Sequence, residues 1–207
     1  MFTTSSWGDV RVTRAQIEQR LGISTRFTKQ VHGNRVVQAD RRPAKANGDL
    51  ELDADALITS TPGIAATVLT ADCLPVVIAA SSANSRPQAA VAAVHAGWRG
   101  LDSGVIANAV TALRELLPSA RLSAAIGPGA GACCYEVGPE LRERFPAAAR
   151  GSNLDLKAIA TAQLCQAGVA QVFDCGVCTI CSTDWELASY RREGPQAGRQ
   201  GLIAWLS

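Results

Sequence analysis

The stretch IAATVLTADCLPVVIAA, residues 64–80, is the longest apolar segment of the chain. Its two ends, residues 64–70 and 75–80, are rich in apolar and β-branched side chains, as in strands buried on both faces. Asp72 and Pro75 interrupt it near the middle, which argues against a membrane span. The stretch therefore predicts two buried strands joined by a turn, and Cys73 lies in that turn.

The surrounding segments predict an α/β chain organised around these strands. A third apolar segment, residues 89–95, predicts a strand that ends at His95. Residues 40–51 and 81–88 are polar and predict surface loops. Further strands are expected at 26–38, with a turn or bulge at residues 33–34, and at 122–126, 169–173 and 201–206. Helices are expected at 10–22, 104–117, 139–145 and 154–167. With no repeat and no interior linker, residues 1–207 are expected to form a single mixed α/β domain with buried central strands.

The composition narrows the class of protein. Of the 207 residues, 47% are hydrophobic, which is enough for a sizeable core and argues against global disorder. The chain has 20 basic and 18 acidic residues, a net charge of +2 that provides no electrostatic footprint for nucleic acid. Residues 1–8 lack the pattern of a signal peptide, and the number of cysteines, seven, is odd. We therefore expect reduced thiols, a cytoplasmic location and no membrane partner.

The two histidines of the chain, His32 and His95, lie one and two residues before a glycine at predicted strand ends, and Cys73 lies in a similar position. A catalytic zinc ion needs three protein ligands and one open position, and imidazole and thiolate suit zinc first and copper second. Strand ends that face the same way would bring these three side chains to one metal ion. The alternative is two hydrogen-bonded structural histidines and a buried cysteine.

Three further cysteines, Cys175, Cys178 and Cys181, have the Cys-x2-Cys-x2-Cys spacing that can hold zinc or an iron–sulfur cluster. A fourth thiolate would have to come from a distant part of the chain. The candidates are Cys133, Cys134 and Cys165. We interpret the run as a coincidence in a cysteine-rich turn.

Two other patterns are compatible with binding of anions. The glycine-rich loop at residues 127–131 can present backbone N–H groups to a phosphate, but a plain tight turn explains it equally well. Arginines can clamp a phosphate or carboxylate, or simply carry surface charge. The candidates are Arg14, Arg99, the pair Arg191 and Arg192, and Arg199.

Four phrases together resemble one family. They are KQVHG at 29–33, TADCLP at 70–75, VHAGWRG at 94–100, and IGP followed by CYEVG within 126–138. With SYRR and GR within 189–199, they resemble the bacterial laccase-domain proteins. Those proteins were once called multicopper polyphenol oxidases and are now regarded as zinc-dependent enzymes that process purine nucleosides. The resemblance runs in order over nearly the whole chain from about residue 8.

The resemblance implies a mixed α/β sandwich flanked by helices and a metal triad of His32, Cys73 and His95. It implies phosphorolysis of adenosine, guanosine, inosine and methylthioadenosine, with purine nucleosides and phosphate as partners, and hydrolytic deamination of adenosine. Arg14 falls where the family often has an Asn-Arg pair, although Thr13 occupies the Asn position here. The chain also departs from the family before the first helix, where the family usually has an extra strand.

Chemistry favours one zinc ion over several coppers, because two histidines cannot ligate the copper ions of a multicopper oxidase. Water activated by zinc could attack C6 of adenine, and an arginine could hold phosphate for phosphorolysis. The deaminase signature His-x-Glu with Pro-Cys-x-x-Cys is absent, so a deaminase here would have a different design. The alternatives are a copper-dependent phenol oxidase, a metal-free cysteine hydrolase using Cys73 or Cys134, and a non-enzymatic binding module.

Overall fold

A computed structural model of the chain describes residues 1–41, 43–82 and 88–207. The strands are β1 Ser24–Lys29, β2 Val36–Gln38, β3 Asp49–Asp53, β4 Ala56–Thr59, β5 Ile64–Thr70, β6 Leu74–Ser82, β7 Gln88–Ala96, β8 Arg121–Ile126, β9 Ala149–Arg150, β10 Asn153–Leu154, β11 Gln171–Asp174 and β12 Gln200–Ala204. The α-helices are α1 Val10–Leu21, α2 Trp98–Asp102, α3 Val105–Leu116, α4 Pro139–Arg144, α5 Leu156–Gln166 and α6 Tyr190–Glu193. Within those described ranges, no helix combines the length and the apolar character needed to cross a bilayer.

Two sheets form the centre of the structure. The larger has the strand order β11-β8-β6-β7-β4-β2, and the smaller has the order β12-β5-β1-β3. Strand β6 lies inside the larger sheet and pairs antiparallel with both β7 and β8. Strand β5 lies inside the smaller sheet, between β12 and β1. The two strands predicted from residues 64–80 therefore do not pair with each other, and the turn at residues 71–73 carries the chain from one sheet to the other.

The side-chain alternation of β7 explains why its sequence is apolar throughout. Ala92 and Val94 belong to the core between the larger sheet and helices α3 and α5, whereas Val91 and Ala93 belong to the core between the two sheets. Because successive strand residues point to opposite faces, a strand covered on both sides needs apolar residues at every position. Helix α1 covers the outer face of the smaller sheet through Val10 and Ile17. The layers are thus helix, sheet, sheet and helix.

The predicted mixed α/β sandwich flanked by helices is confirmed. Helix α1 ends as predicted at Gly22, whose φ of 66° is in the left-handed region that glycine adopts readily. The prediction of one strand over 26–38, with a turn or bulge at residues 33–34, was wrong, since residues 30–35 leave the sheet and separate β1 from β2, which lie in different sheets. Residues 40–51 contain the beginning of β3 as well as a loop. Most of the loop predicted at 81–88 falls outside the described residues.

Truncation of Ile78 tests the central position of β6. This side chain is fully buried against the helix-covered face of the larger sheet. Ile78→Ala should lower the free energy of unfolding by about 2–5 kcal/mol, because it removes buried methyl groups and leaves a cavity. Val12→Ala, at an 82% exposed position of α1, is the control and should change stability by less than about 0.5 kcal/mol. Urea unfolding curves measure both values, and equal effects would contradict this packing.

Candidate metal centre

Two loops and the end of a strand bring His32, Cys73 and His95 together at one edge of the sandwich. His32 lies between β1 and β2, Cys73 lies in the turn between the sheets, and His95 lies near the end of β7. Their ligand nitrogen and sulfur atoms all lie within 4.8 Å of one another, and the two imidazole centroids are 4.8 Å apart. Tetrahedral zinc, with bonds of about 2.0–2.3 Å, separates its ligand atoms by roughly 3.5 Å. Small side-chain adjustments would therefore let all three side chains bind a single ion.

The carboxylate of Asp55, which is fully buried, organises both histidines. Its Oδ1 accepts hydrogen bonds from the His32 backbone N–H at 2.9 Å and from His95 Nδ1 at 2.7 Å. Its Oδ2 accepts from the N–H groups of Val31 at 3.1 Å and Gly33 at 2.7 Å. These bonds hold His32 at a φ of 60°, in the region that non-glycine residues rarely adopt. They also leave Nε2 of His95 as the nitrogen for a metal, the usual arrangement of a carboxylate behind a ligating histidine.

The residue before the candidate thiolate is held in a similar way. Asp72 has a φ of 91°, again in the left-handed region. Its carboxylate accepts from Thr179 Oγ1 and from the Arg191 N–H, both at 2.7 Å, and its carbonyl oxygen accepts from the Ala130 N–H at 2.7 Å. Strained backbone of this kind persists where surrounding contacts hold it, often at functional sites. Segments distant in sequence thus determine where Cys73 points.

Gly97 provides the space for the centre. A Cβ atom added there would lie 2.8 Å from Cys73 Sγ and 3.2 Å from His32 Cδ2. The first distance is shorter than van der Waals contact permits, so any larger residue would displace the thiol. The backbone of Gly97 has a φ of −77°, which alanine adopts easily. Its requirement for glycine is therefore steric rather than conformational.

The electrostatics of the three groups suit a cation. Burial by itself would raise the pKa of Cys73, but hydrogen bonds with His32 and His95 outweigh it and lower the pKa to about 6. Burial would lower the pKa of His95, but hydrogen bonds with Asp55 and Cys73 raise it to about 9. For Asp55, burial favours a higher pKa, and hydrogen bonds from His95 and Gly33 hold it below its usual value. A metal ion would take the place of the imidazolium proton beside the thiolate.

In front of the centre is a cavity of about 640 Å³. Its volume lies within the range of small-molecule sites, roughly 300–1,000 Å³. Aromatic residues and arginines make up seven of the fourteen residues that line the cavity besides the three candidate ligands. They are Trp98, Tyr135, Tyr190, Arg11, Arg99, Arg191 and Arg199. The arrangement can bind an anion and a planar apolar ring side by side.

The structure brings Arg99 to this cavity, where its guanidinium stacks 4.3 Å above the Trp98 ring. Arg14 is not among the lining residues, and it forms an ion pair with Glu18 at 3.0 Å on α1. Of the predicted pair, Arg191 lines the cavity, and Arg192 donates to the Thr179 carbonyl at 2.9 Å.

Sequence reasoning did not single out Asp55 or Gly97. The signal for Asp55 was a carboxylate directly before a short apolar strand, where a charge must find partners if it is buried. For Gly97 the signal was its position two residues after a candidate histidine ligand. Neither signal identifies the contacts, because Val31–Gly33 and Cys73 approach these residues only in the folded chain.

Known proteins resemble the chain along most of its length. The model of the family described as multi-copper polyphenol oxidoreductase laccase matches residues 5–207. A purine nucleoside phosphorylase of Xylella fastidiosa is 36% identical over 213 residues, which cover 95% of this chain and 78% of that protein. A purine nucleoside phosphorylase of Pseudomonas aeruginosa is 36% identical over 210 residues, which cover 95% of this chain and 80% of that protein. A crystal structure from Neisseria meningitidis has a TM-score of 0.78 and 35% identity, and it covers 96% of this chain and 81% of that one.

Replacement of Asp55 by asparagine tests its role behind the histidines. Asp55→Asn keeps the shape of the side chain but removes the charge that orients His95 and the loop at His32. We expect affinity for zinc to fall by about 10- to 100-fold. Competition with a chromogenic chelator measures it, with circular dichroism as the check of folding. Asp53→Asn, at an exposed carboxylate, is the matched control, and equal affinities for the two variants would refute the role.

A methyl group at Gly97 tests the steric requirement. Gly97→Ala should push the Cys73 thiol away from the histidines and weaken zinc binding by about tenfold or more, since overpacking costs ~1–3 kcal/mol. In Gly198→Ala the nearest neighbouring atom is at an ordinary 3.7 Å, so this variant should bind zinc like the unmodified chain. The same competition titration compares the two, and undiminished affinity in Gly97→Ala would show that the centre tolerates the displacement.

Proposed function

This chain belongs to the multi-copper polyphenol oxidoreductase laccase family, and from that membership we propose that it is a zinc-dependent purine nucleoside phosphorylase. Relatives with that name, about 35% identical, support an enzyme of this class. The observation that carries the proposal is the group of His32, Cys73 and His95 at a cavity that also holds aromatic rings and arginines. We further propose that the same cavity deaminates adenosine.

The residues present fit one zinc ion. Two imidazoles and a thiolate leave one coordination position open, as in catalytic zinc sites, and Asp55 behind His95 is the expected supporting carboxylate. The family description names several coppers, but the chain has two histidines, and both belong to this group. Several copper ions would need more imidazoles than that. A bound zinc ion would supply Lewis-acid polarisation of a substrate oxygen or of water.

Phosphate would bind at Arg99. Its guanidinium stacks on Trp98 and, among the residues that the structure describes, finds no hydrogen-bond acceptor. Its five N–H donors are therefore available for a ligand, and Arg99 lines the cavity together with His32 and His95. A planar guanidinium binds phosphate oxygens in pairs, so the residue can hold the nucleophile in place. By contrast, Arg11 is engaged by Asp9, and Arg199 donates to two backbone carbonyls.

The purine would pack against the aromatic side of the cavity. Tyr135 is buried, and the guanidinium of Arg191 covers its ring at 4.8 Å. Tyr190 is 51% exposed at the cavity wall and offers a second ring. Stacking recognises the flat base with little regard to its substituents. That tolerance agrees with activity on adenosine, guanosine, inosine and methylthioadenosine.

Phosphorolysis exchanges one bond at the anomeric carbon of ribose for another. A phosphate oxygen bonds to C1′ as the C1′–N9 bond breaks, and the electron pair leaves with the purine. N9 takes up a proton, and the products are the free base and ribose 1-phosphate. The positive charge of Arg99 would reduce the electrostatic repulsion between phosphate and the negatively charged departing base. The residues that line the cavity would hold phosphate and nucleoside in the orientation that the reaction needs. In deamination, water adds at C6 of adenosine, ammonia leaves, and inosine forms.

Turnover of inosine tests the proposal. Zinc-loaded protein should release hypoxanthine and ribose 1-phosphate from inosine only when phosphate is present, and ammonia from adenosine without it. Cys73→Ala should lower both rates by about 100-fold or more, since it removes a charged group from the centre. Arg99→Ala should raise KM for phosphate about tenfold and affect deamination little. The matched control is Arg114→Ala, whose guanidinium binds the Ala167 carbonyl, and it should leave both activities unchanged.

Two results would refute this assignment. The first is zinc-loaded, folded protein that turns over neither inosine with phosphate nor adenosine. The second is full activity in Cys73→Ala, which would point to chemistry elsewhere in the cavity. Oxygen uptake with a phenol after loading with copper, combined with no phosphorolysis, would favour the copper-dependent oxidase instead.

A further inference from the structure

A second group of thiols lies outside the centre described above. The Sγ atoms of Cys133, Cys134, Cys178 and Cys181 all lie within 4.8 Å of one another. We propose that these four side chains bind a second metal ion, a zinc ion with tetrahedral thiolate coordination, which joins two loops beside the cavity. This site goes beyond the proposed reaction and does not depend on it.

The sulfur geometry favours a single ion. Four zinc–sulfur bonds of about 2.3 Å in a tetrahedron place the sulfur atoms roughly 3.8 Å apart. Cys133 Sγ and Cys181 Sγ are 3.6 Å apart, close to that spacing and far from the ~2.05 Å of a disulfide. A cluster of several iron ions would need its thiolates further apart, because they surround the whole cluster. Four thiolates in a tetrahedron are a preferred ligand set of zinc.

The backbone around the sulfurs is shaped for them. The Gly131 N–H donates to Cys178 Sγ at 3.3 Å, which partly offsets the negative charge of a thiolate. A Cβ atom at Gly131 would lie 3.2 Å from Cys133 Sγ and 3.3 Å from Cys178 Sγ, so glycine lets this turn approach both sulfurs. Lys157 of α5 donates to the Val177 carbonyl at 3.1 Å and to Asp174 at 2.9 Å, which ties this loop to the helix. The glycine-rich loop thus directs an amide at a thiol instead of forming a plain turn.

The two loops that carry the thiols already touch. The Thr179 N–H donates to the Gly129 carbonyl at 3.0 Å, and the Gly129 N–H donates to the Val177 carbonyl at 3.3 Å. Gly129 and Thr179 are buried, so these backbone bonds already join the loops, and a shared metal ion would add a link through the side chains. Cys175, the first member of the run, and Cys165 are not in the group. The run interpreted in the sequence analysis as a coincidence thus contributes two of the four proposed ligands.

A metal ion here would also support the first centre. Thr179 lies between two of the thiols, and its hydroxyl donates to Asp72, the residue before Cys73. Tyr135 directly follows Cys134 and forms part of the cavity wall. The proposed ion would therefore hold in place both the Tyr135 ring of the cavity wall and the turn that carries Cys73. Its role is structural, because none of its ligands lines the cavity.

Metal counting on purified protein tests the site. Protein produced with zinc and kept reduced should contain two zinc ions per chain by elemental analysis. Cys178→Ser should reduce the count by one, and Cys73→Ser should independently reduce it by one. Cys165→Ser and Cys175→Ser, outside both groups, are the controls and should keep both ions. Each centre has its own variant. If the first centre binds no metal, the native chain should contain one zinc ion, and Cys178→Ser should still remove it.

Cobalt provides a measurement that does not depend on whether a variant folds. Reduced, metal-free native protein titrated with Co²⁺ should develop the intense sulfur-to-cobalt charge-transfer bands of tetrahedral tetrathiolate coordination. Their absence would overturn the proposal. So would a zinc count that Cys178→Ser leaves unchanged, or a Cys133–Cys181 disulfide found by peptide mapping in protein purified without oxidant. Iron with inorganic sulfide at the four cysteines would refute the zinc assignment.

Discussion

The buried carboxylate of Asp55 is the interaction on which the centre depends. A charge without water needs compensation, and here three backbone N–H groups and one imidazole provide it. The same four bonds hold residues 31–33 outside the sheet. They also fix the orientation of His95, so that Nε2 is the ring nitrogen left for a metal ion beside Cys73. One side chain thereby fixes the loop of one candidate ligand and the orientation of another. The apolar strands around Asp55 exclude solvent from this carboxylate.

The passage of the chain between the two sheets positions Cys73, the third candidate ligand. Because β5 and β6 belong to different sheets, the turn between them cannot be an ordinary hairpin. Asp72 adopts a left-handed conformation there and is held by a hydroxyl and two backbone N–H groups from distant segments. Those segments include the loop with Cys178 and Cys181, so the second group of thiols and the first centre share one supporting framework. Rigidity at the site thus comes from long-range contacts rather than from local structure.

Much of the fold could be predicted from local patterns. Apolar runs at 64–70, 75–80 and 89–95 indicate strands covered on both faces, and Gly22 marks the end of α1 because it adopts a left-handed conformation easily. The strand expected over 26–38 failed because the loop at His32 donates its N–H groups to Asp55 and not to a neighbouring strand. That competition lies between residues 23 positions apart, and no local pattern reveals it.

The sequence by itself determined which imidazoles and thiols were available for the proposed centre. Two histidines and a thiol at strand ends permit one three-ligand centre and no multicopper site, whatever the fold. Only the tertiary structure decided which carboxylate supports them, that Gly97 makes room for the thiol, and that Arg99 rather than Arg14 reaches the cavity. It also selected Cys133 and Cys134 as the partners of Cys178 and Cys181. The physical reason is that ligand chemistry belongs to each residue, whereas distance and burial arise only when remote segments pack together.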